Sequence, residues 1–181
     1  RVREEMEARL RNVLHQGSVE DARVEILSAL LRLRQVCCDP RLIGEDTDIS
    51  SSAKLDLLME LVPTLIEEGR RILIFSQFTS MLAIIERSLK DAGIEYLKLT
   101  GESRDRQGLV DRFQTGEIPV FLISLKAGGT GLNLTAADTV IHYDPWWNPA
   151  AQAQASDRAH RIGQTQPVFI HKLLSEGTVE E

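Results

Sequence analysis

No apolar run in these 181 residues approaches the ~20 that a membrane-spanning helix needs, so the sequence predicts a soluble chain with no membrane partner. Cysteine is scarce: there are two, Cys37 and Cys38, and they are neighbours. Adjacent cysteines close a strained ring if oxidised, and two thiols fall short of a four-ligand zinc site. A disulfide scaffold and a zinc fold are therefore set aside, and the pair reads as two small apolar residues near a helix end in a reducing, intracellular setting. The four histidines (His15, His142, His160 and His171) are scattered without metal-ligand spacing, so no metal site is expected and each reads as structural or surface. No Ser-His-Asp or Cys-His arrangement is evident. A Gly-Lys-Ser/Thr ending, which an ATP-cradling loop requires, occurs nowhere, and neither does a complete dinucleotide fingerprint. The first residue is not Met and the last stretch is charged, so both ends read as interruptions of a longer polypeptide.

What is present is ordinary globular composition, with 43% apolar and 27% charged residues, enough for an α/β core. The net charge of −6 counts at first against nucleic acid, but the field at a groove depends on local arrangement and not on the sum. Residues 4–15 and 20–38 have helical periodicity, and the second run ends at Asp39-Pro40. A polar, acidic stretch over 44–52 reads as a linker, which makes 1–52 a helical segment and 53–181 the main domain. A further helix is predicted over 53–68, closed by Gly69.

From Arg70 onward, short apolar runs alternate with helical stretches. The runs are Ile72–Phe75, Tyr96–Leu99, Val120–Ile123, Thr139–Tyr143 and Val168–Leu173; helices are predicted over 79–92, 104–115 and 149–162. Strands spaced by helices imply a mainly parallel sheet, and such sheets carry their chemistry in the loops at the strands' carboxyl ends. Four consecutive strand ends deliver unusual residues there: Ser76-Gln77, then Thr100-Gly101, then Ser124-Leu125-Lys126 with the glycine loop 127–131, then both tryptophans, Trp146 and Trp147. Glycines Gly129 and Gly131 permit close backbone approach to a phosphate, although an ordinary tight turn accounts for that loop equally well by itself. Of two adjacent tryptophans in extended chain, one points to the core and the other away; spacing does not say which.

The segment 148–163 carries the most information. Asn148 suits an N-cap, Pro149 the first helical position and Gly163 a helix end. Within one helix, Gln154, Arg158 and Arg161 at i, i+4 and i+7 would share a narrow face, with Ala151, Ala155 and Ala159 as a close-packing stripe beside it. Two guanidiniums and an amide aimed together suit a phosphoryl group, because guanidinium is always charged and bonds phosphate bidentately. A solvated face with arginines paired to Asp157 is the plainer alternative.

Several ordered stretches resemble the Swi/Snf-type ATPases of helicase superfamily two: RRILIFSQFTSML its motif IV, LTGESRDRQGLVDRF the strand–loop–helix that follows, VFLISLKAGGTGLNLTAAD motif V, WWNP the next block and QASDRAHRIGQ motif VI. LLRLRQVCCDPRLI is similar to the family's inter-lobe connection, and the resemblance covers about residues 27–181. It implies the C-terminal RecA-like lobe, an α/β three-layer sandwich preceded by N-terminal helices, facing a first lobe across an ATP cleft. Arg158 and Arg161 would then be arginine fingers and Gln154 would position them, with Gly129, Gly131 and Asp157 beside the nucleotide. Ser76, Gln77, Thr100, Gly101, Ser124, Lys126, Thr130 and the tryptophans would lie along a DNA track, contacting phosphates more than bases. The implied cofactor is ATP with Mg2+, bound mainly by the first lobe. Implied partners are double-stranded DNA, that lobe, and a DNA-bound protein target; the implied location is intracellular and DNA-associated. Since the first lobe's Gly-Lys-Thr and Asp-Glu-x-His motifs are absent, the chain alone is expected not to hydrolyse ATP or translocate. A non-catalytic DNA- or protein-binding module and a strand-separating helicase lobe are the alternatives.

Overall fold

Four short runs pack as strands buried throughout or on alternate residues, and a fifth pairs at the sheet's edge. The structure is a computed structural model, and it describes residues 2–16, 19–44, 52–128 and 131–181. The strands are β1 (Ile72–Ser76), β2 (Tyr96–Leu99), β3 (Val120–Ser124), β4 (Thr139–His142) and β5 (Phe169–Lys172), ordered β2-β3-β1-β4-β5 with every pairing parallel. β1, β3 and β4 are buried along their whole length, as parallel strands covered on both faces must be. β2, at one edge, alternates between half-buried and buried. β5, at the other edge, is mostly exposed.

The helices are α1 (Val2–Gln16), α2 (Val19–Cys38), α3 (Ala53–Glu67), α4 (Thr79–Asp91), α5 (Arg106–Gln114), α6 (Leu125–Gly128) and α7 (Pro149–Ser156). α4 buries Met81, Leu82, Ile85 and Leu89, a single stripe at helical spacing. A core cluster joins Leu73, Phe75, Phe121 and Val140 of the sheet to Phe113 of α5 and to Ala155 and Ala159. α6 stands where the sequence suggested only a turn. Gly128, at its end, leaves little room for a side chain: a Cβ would lie 3.0 Å from Cε1 of the fully buried Phe75, which would have to give by a few tenths of an ångström.

The chain divides into two compact units, one of residues 53–174 and one of residues 1–52 with 175–181. In the second, α1 packs against α2, and Asp39 caps a short 3-10 turn over Pro40–Ile43 by accepting from the Arg41 backbone at 2.9 Å. Its last residues join it through Ser175, whose Oγ donates to the Cys37 carbonyl at 3.2 Å. The linker expected over 44–52 falls largely outside the described residues.

Candidate functional site

Parallel pairing in register puts the carboxyl ends of β1, β2 and β3 on one rim. A cleft of about 430 Å³ opens there, lined by Gln77, Thr79, Lys98, Thr100, Gly101, Glu102, Ser124 and Lys126. Five of these were singled out from sequence: Gln77, Thr100, Gly101, Ser124 and Lys126. One buried polar atom on this lining, Ser124 Oγ, has no hydrogen-bond partner among the described residues. Buried polar groups are almost always paired, so an unpaired one on a cleft wall is consistent with a polar ligand.

Beneath the cleft lies an anchor that sequence reasoning passed over. Asp144, 1% exposed, follows β4 and reaches across to the end of β1. Its Oδ1 accepts from the Ser76 hydroxyl at 2.5 Å and its Oδ2 from the Gln77 backbone N–H at 3.1 Å. Ser76 Oγ accepts in turn from the Phe78 N–H at 3.1 Å, which starts α4. Ser76 is itself fully buried, so it shapes the rim from below and does not line the cleft. Burial pushes the Asp144 carboxyl above the usual carboxylate range, against the pull of the Ser76 and Gln77 hydrogen bonds and the Lys54 charge.

Lys98, Thr79 and Glu102 complete the lining and were also missed. Lys98 was legible, for it stands two residues before Thr100 in a strand of period two and must share its face. Its Nζ donates to Glu86 Oε2 of α4 at 2.5 Å, while the Tyr96 hydroxyl donates to Glu86 Oε1 at 2.7 Å. Burial alone would raise the Glu86 carboxyl; hydrogen bonds from Lys98 and Tyr96, with the Lys98 and Lys90 charges, outweigh it and hold the group below its ordinary value.

The tryptophan question has an answer in the fold. Trp146 packs half-buried against the core cluster, with its ring edge-on to His142 at 6.3 Å, and its backbone N–H donates to Gln152 Oε1 at 3.3 Å. Trp147 is 65% exposed. Thr130 and Gly129 lie outside the described residues. His142 is almost fully buried, stacked on Phe75 and hydrogen-bonded through Nε2 to Ser156 Oγ at 2.9 Å. Burial first, and the Lys172 charge second, depress its pKa from 6.5 to about 4. Between those two values the unfolded chain takes up a proton that the folded one refuses. This group's contribution is therefore full above pH 6.5 and falls by about 3 kcal/mol as pH drops towards 4. The raised carboxyl of Asp144 acts in the opposite sense. Urea melts of wild type and His142→Gln are expected to diverge in slope across this window, with the variant losing less stability on acidification.

The predicted single helix over 149–162 does not form. Asn148 caps it as expected, accepting from the Ala150 N–H at 3.0 Å, and Pro149 takes the first position, but α7 stops at Ser156. Past Ser156 the backbone tightens into i→i−3 turns, the Arg158 N–H donating to the Ala155 carbonyl at 3.2 Å and the Ala159 N–H to that of Ser156 at 3.1 Å. Beyond them the Arg158 carbonyl accepts from the Leu134 N–H at 3.0 Å and the Ala159 carbonyl from Gln164 Nε2 at 3.1 Å, so no helix resumes there. Gln164 Nε2 also lies 2.9 Å from the Thr135 carbonyl and 2.6 Å from that of Ala137, tying the turns after α7 to the segment after the glycine loop. Gln154, Arg158 and Arg161 consequently share no helix face. Gln154 is exposed on α7, Asp157 is its exposed C-cap, and the buried glutamine is Gln152.

The two arginines nevertheless stand together. Arg158 is 2% exposed, and its Nε lacks a hydrogen-bond partner among the described residues. Burial first, and then repulsion from Arg161, lower its pKa, with Asp157 opposing; guanidinium stays charged at neutral pH regardless. Arg161 is exposed, and its Nη1 donates to the Gly131 carbonyl at 3.3 Å, where a φ of +67° requires glycine. Among the described residues no group of three His, Cys, Asp or Glu side chains could hold a metal ion, and no helix is long and apolar enough to cross a membrane.

Residues 53–163 match the helicase conserved C-terminal domain family. The structure superposes on the C-terminal domain of the Sulfolobus solfataricus SWI2/SNF2 ATPase with a TM-score of 0.78 at 33% identity, covering 98% of this chain and 74% of that one. The chain belongs to this family. Its SWI2/SNF2 character recurs in the S. solfataricus SWI2/SNF2 ATPase core in complex with double-stranded DNA, at TM-score 0.81 and 36% identity over 99% of this chain and 38% of that chain. A putative ATP-dependent helicase/translocase of Bacillus subtilis is 45% identical over 163 residues, 86% of this chain. The chromatin-remodeling ATPase INO80 of Saccharomyces cerevisiae is 50% identical over 139 residues, 75% of this chain. The SWI2/SNF2 lobe described here spans only 18% and 9%, respectively, of those two proteins.

Proposed function

We propose that this chain is the second motor lobe of an ATP-driven double-stranded DNA translocase that remodels protein–DNA complexes. The observation that carries the proposal is the cleft at the ends of β1, β2 and β3, where five residues chosen for phosphate contact converge. Its scale and its unpaired Ser124 hydroxyl suit a sugar-phosphate backbone, and contacts of that kind are largely independent of sequence. The DNA complex of the S. solfataricus relative supports the same partner. Trp147, exposed on the next strand end, supplies an aromatic surface to the same duplex.

In this reading ATP is the fuel, held with Mg2+ mainly by a first lobe that also supplies the metal's protein ligands. Arg158 and Arg161 reach its phosphates across the inter-lobe cleft and stabilise the charge that develops on the transferred phosphoryl group. Gln154, Asp157, Gly129 and Gly131 border the same nucleotide. The arginines act from turns held by backbone bonds to residues 131–137, so their placement depends on that packing and not on helix phase. The protein works in association with DNA, and a DNA-bound protein is its target.

The test is duplex-stimulated ATP turnover. The 181-residue chain alone is expected to show none above background, because the phosphate-cradling loop is missing from it. Appreciable hydrolysis by the isolated chain would overturn the half-site reading. Unchanged turnover by an Arg158→Ala full-length parent would remove the fingers and leave a DNA-binding module.

A further inference from the structure

Two lysines line the cleft, and they differ in kind. Lys126 is exposed. Lys98 is neutralised by Glu86, in a pair whose side chains are 35% and 20% exposed. The pair is partly buried, but the lysine side is open enough to the cleft for an incoming anion to compete with Glu86 for it. Loss of Lys98 would not strand Glu86: Lys90 lies 3.7 Å from its Oε1, and the Tyr96 hydroxyl donates to the same oxygen at 2.7 Å. The carboxylate thus has standing replacements for the one partner that faces the cleft. The strand geometry keeps Lys98 on the same side of β2 as Thr100, within the cleft lining. The acidic Glu102 on that lining makes a second cation there more valuable to an incoming phosphate, because Lys126 alone only balances it.

We propose that Lys98 is a phosphate-contacting residue of the duplex track, held in reserve by Glu86 and released to the DNA backbone on binding. This rests on the reading of the cleft as a DNA site and adds to it both a residue and a competing anion. Glu86 acts through Lys98 as a positioning residue that weakens duplex binding by holding the lysine back.

The two partners of one ion pair are therefore expected to have opposite effects, which a purely structural pair would not produce. In the full-length parent, duplex affinity is measured by fluorescence anisotropy over a range of salt concentrations, with thermal melts as a folding control. Lys98→Ala should weaken binding about 3- to 10-fold at moderate salt and make the slope of log affinity against log salt shallower by about 0.9. Lys98→Arg should restore the slope. Glu86→Gln, which keeps an acceptor for Tyr96 but loses the charge, should tighten binding about 3-fold or more. Lys126→Ala, measured in parallel, separates the two levels of the argument. If Lys126→Ala makes the slope shallower and Lys98→Ala does not, the role of Lys98 falls and the cleft reading stands. If neither variant changes the slope, the cleft is not the duplex track. If Glu86→Gln weakens binding as Lys98→Ala does, the pair is merely structural and the reserve mechanism is overturned.

Discussion

Arg161→Ala in the full-length parent is expected to lower duplex-stimulated ATP turnover by about 10³-fold, the scale at which arginine fingers act, while leaving the melting temperature essentially unchanged. The second half of that expectation comes from the structure. Arg161 is exposed and makes one 3.3 Å hydrogen bond to the Gly131 carbonyl, so its truncation opens no cavity and strands no buried group. Arg158→Ala is expected to cost as much activity and also stability, since Arg158 is buried to 2% exposure and its backbone neighbours are tied to the core. The informative pair is thus Arg161→Ala for chemistry and Arg158→Lys for geometry. Lysine keeps the charge but not the planar fork, and a large loss with it would mark bidentate phosphate contact. Steady-state kinetics with saturating duplex, alongside thermal melts, would check both; an Arg161→Ala enzyme within about 10-fold of wild type would remove Arg161 as a finger.

Asp144→Ala should be the most damaging single change for the cleft. It removes the acceptor of the Ser76 hydroxyl and of the Gln77 N–H together, in a site 1% exposed. Each stranded donor costs about 1–3 kcal/mol, so a loss near 3 kcal/mol and a fall in melting temperature of about 10 °C are expected. Asp144→Asn should lose less. It keeps an acceptor for Ser76 but turns an amide N–H towards the Gln77 N–H, and it also relieves the burial of charge that raises the carboxyl's pKa. Duplex affinity should fall with Asp144→Ala beyond what Asp144→Asn causes, because Gln77 lines the cleft. A melting temperature unmoved by Asp144→Ala would show that the rim is held by something else.

Much of the fold was legible because parallel strands between helices are written as apolar runs: Tyr96–Leu99 is the observed β2, and the other four runs differ from their strands by a residue or two. The helix after Trp147 was misread for a definite reason. Periodicity registers what a segment could do alone, and residues 154–161 do repeat like a helix. After Ser156 the chain tightens into i→i−3 turns, and two long-range partners, the Leu134 N–H and the Gln164 amide, take the carbonyls of Arg158 and Ala159 that a longer helix would need. Asp144 and Lys98 escaped for different causes. A lone carboxylate after a strand looks like turn chemistry until its partners across the sheet are known. Lys98 could have been placed by counting two back from Thr100, but nothing in the sequence announces Glu86 as its neighbour.

The Gln164 amide has a mechanical consequence. Together with the bond from the Leu134 N–H to the Arg158 carbonyl, it fastens the stretch after the glycine loop to the turns that carry both arginines. Separating the two means giving up about three hydrogen bonds, a net cost of roughly 3 kcal/mol, which admits the parted state about once in a hundred visits or less. Two stretches so fastened behave as one stiff lever. A push delivered at either end arrives at the other as displacement, with little lost to slack between them.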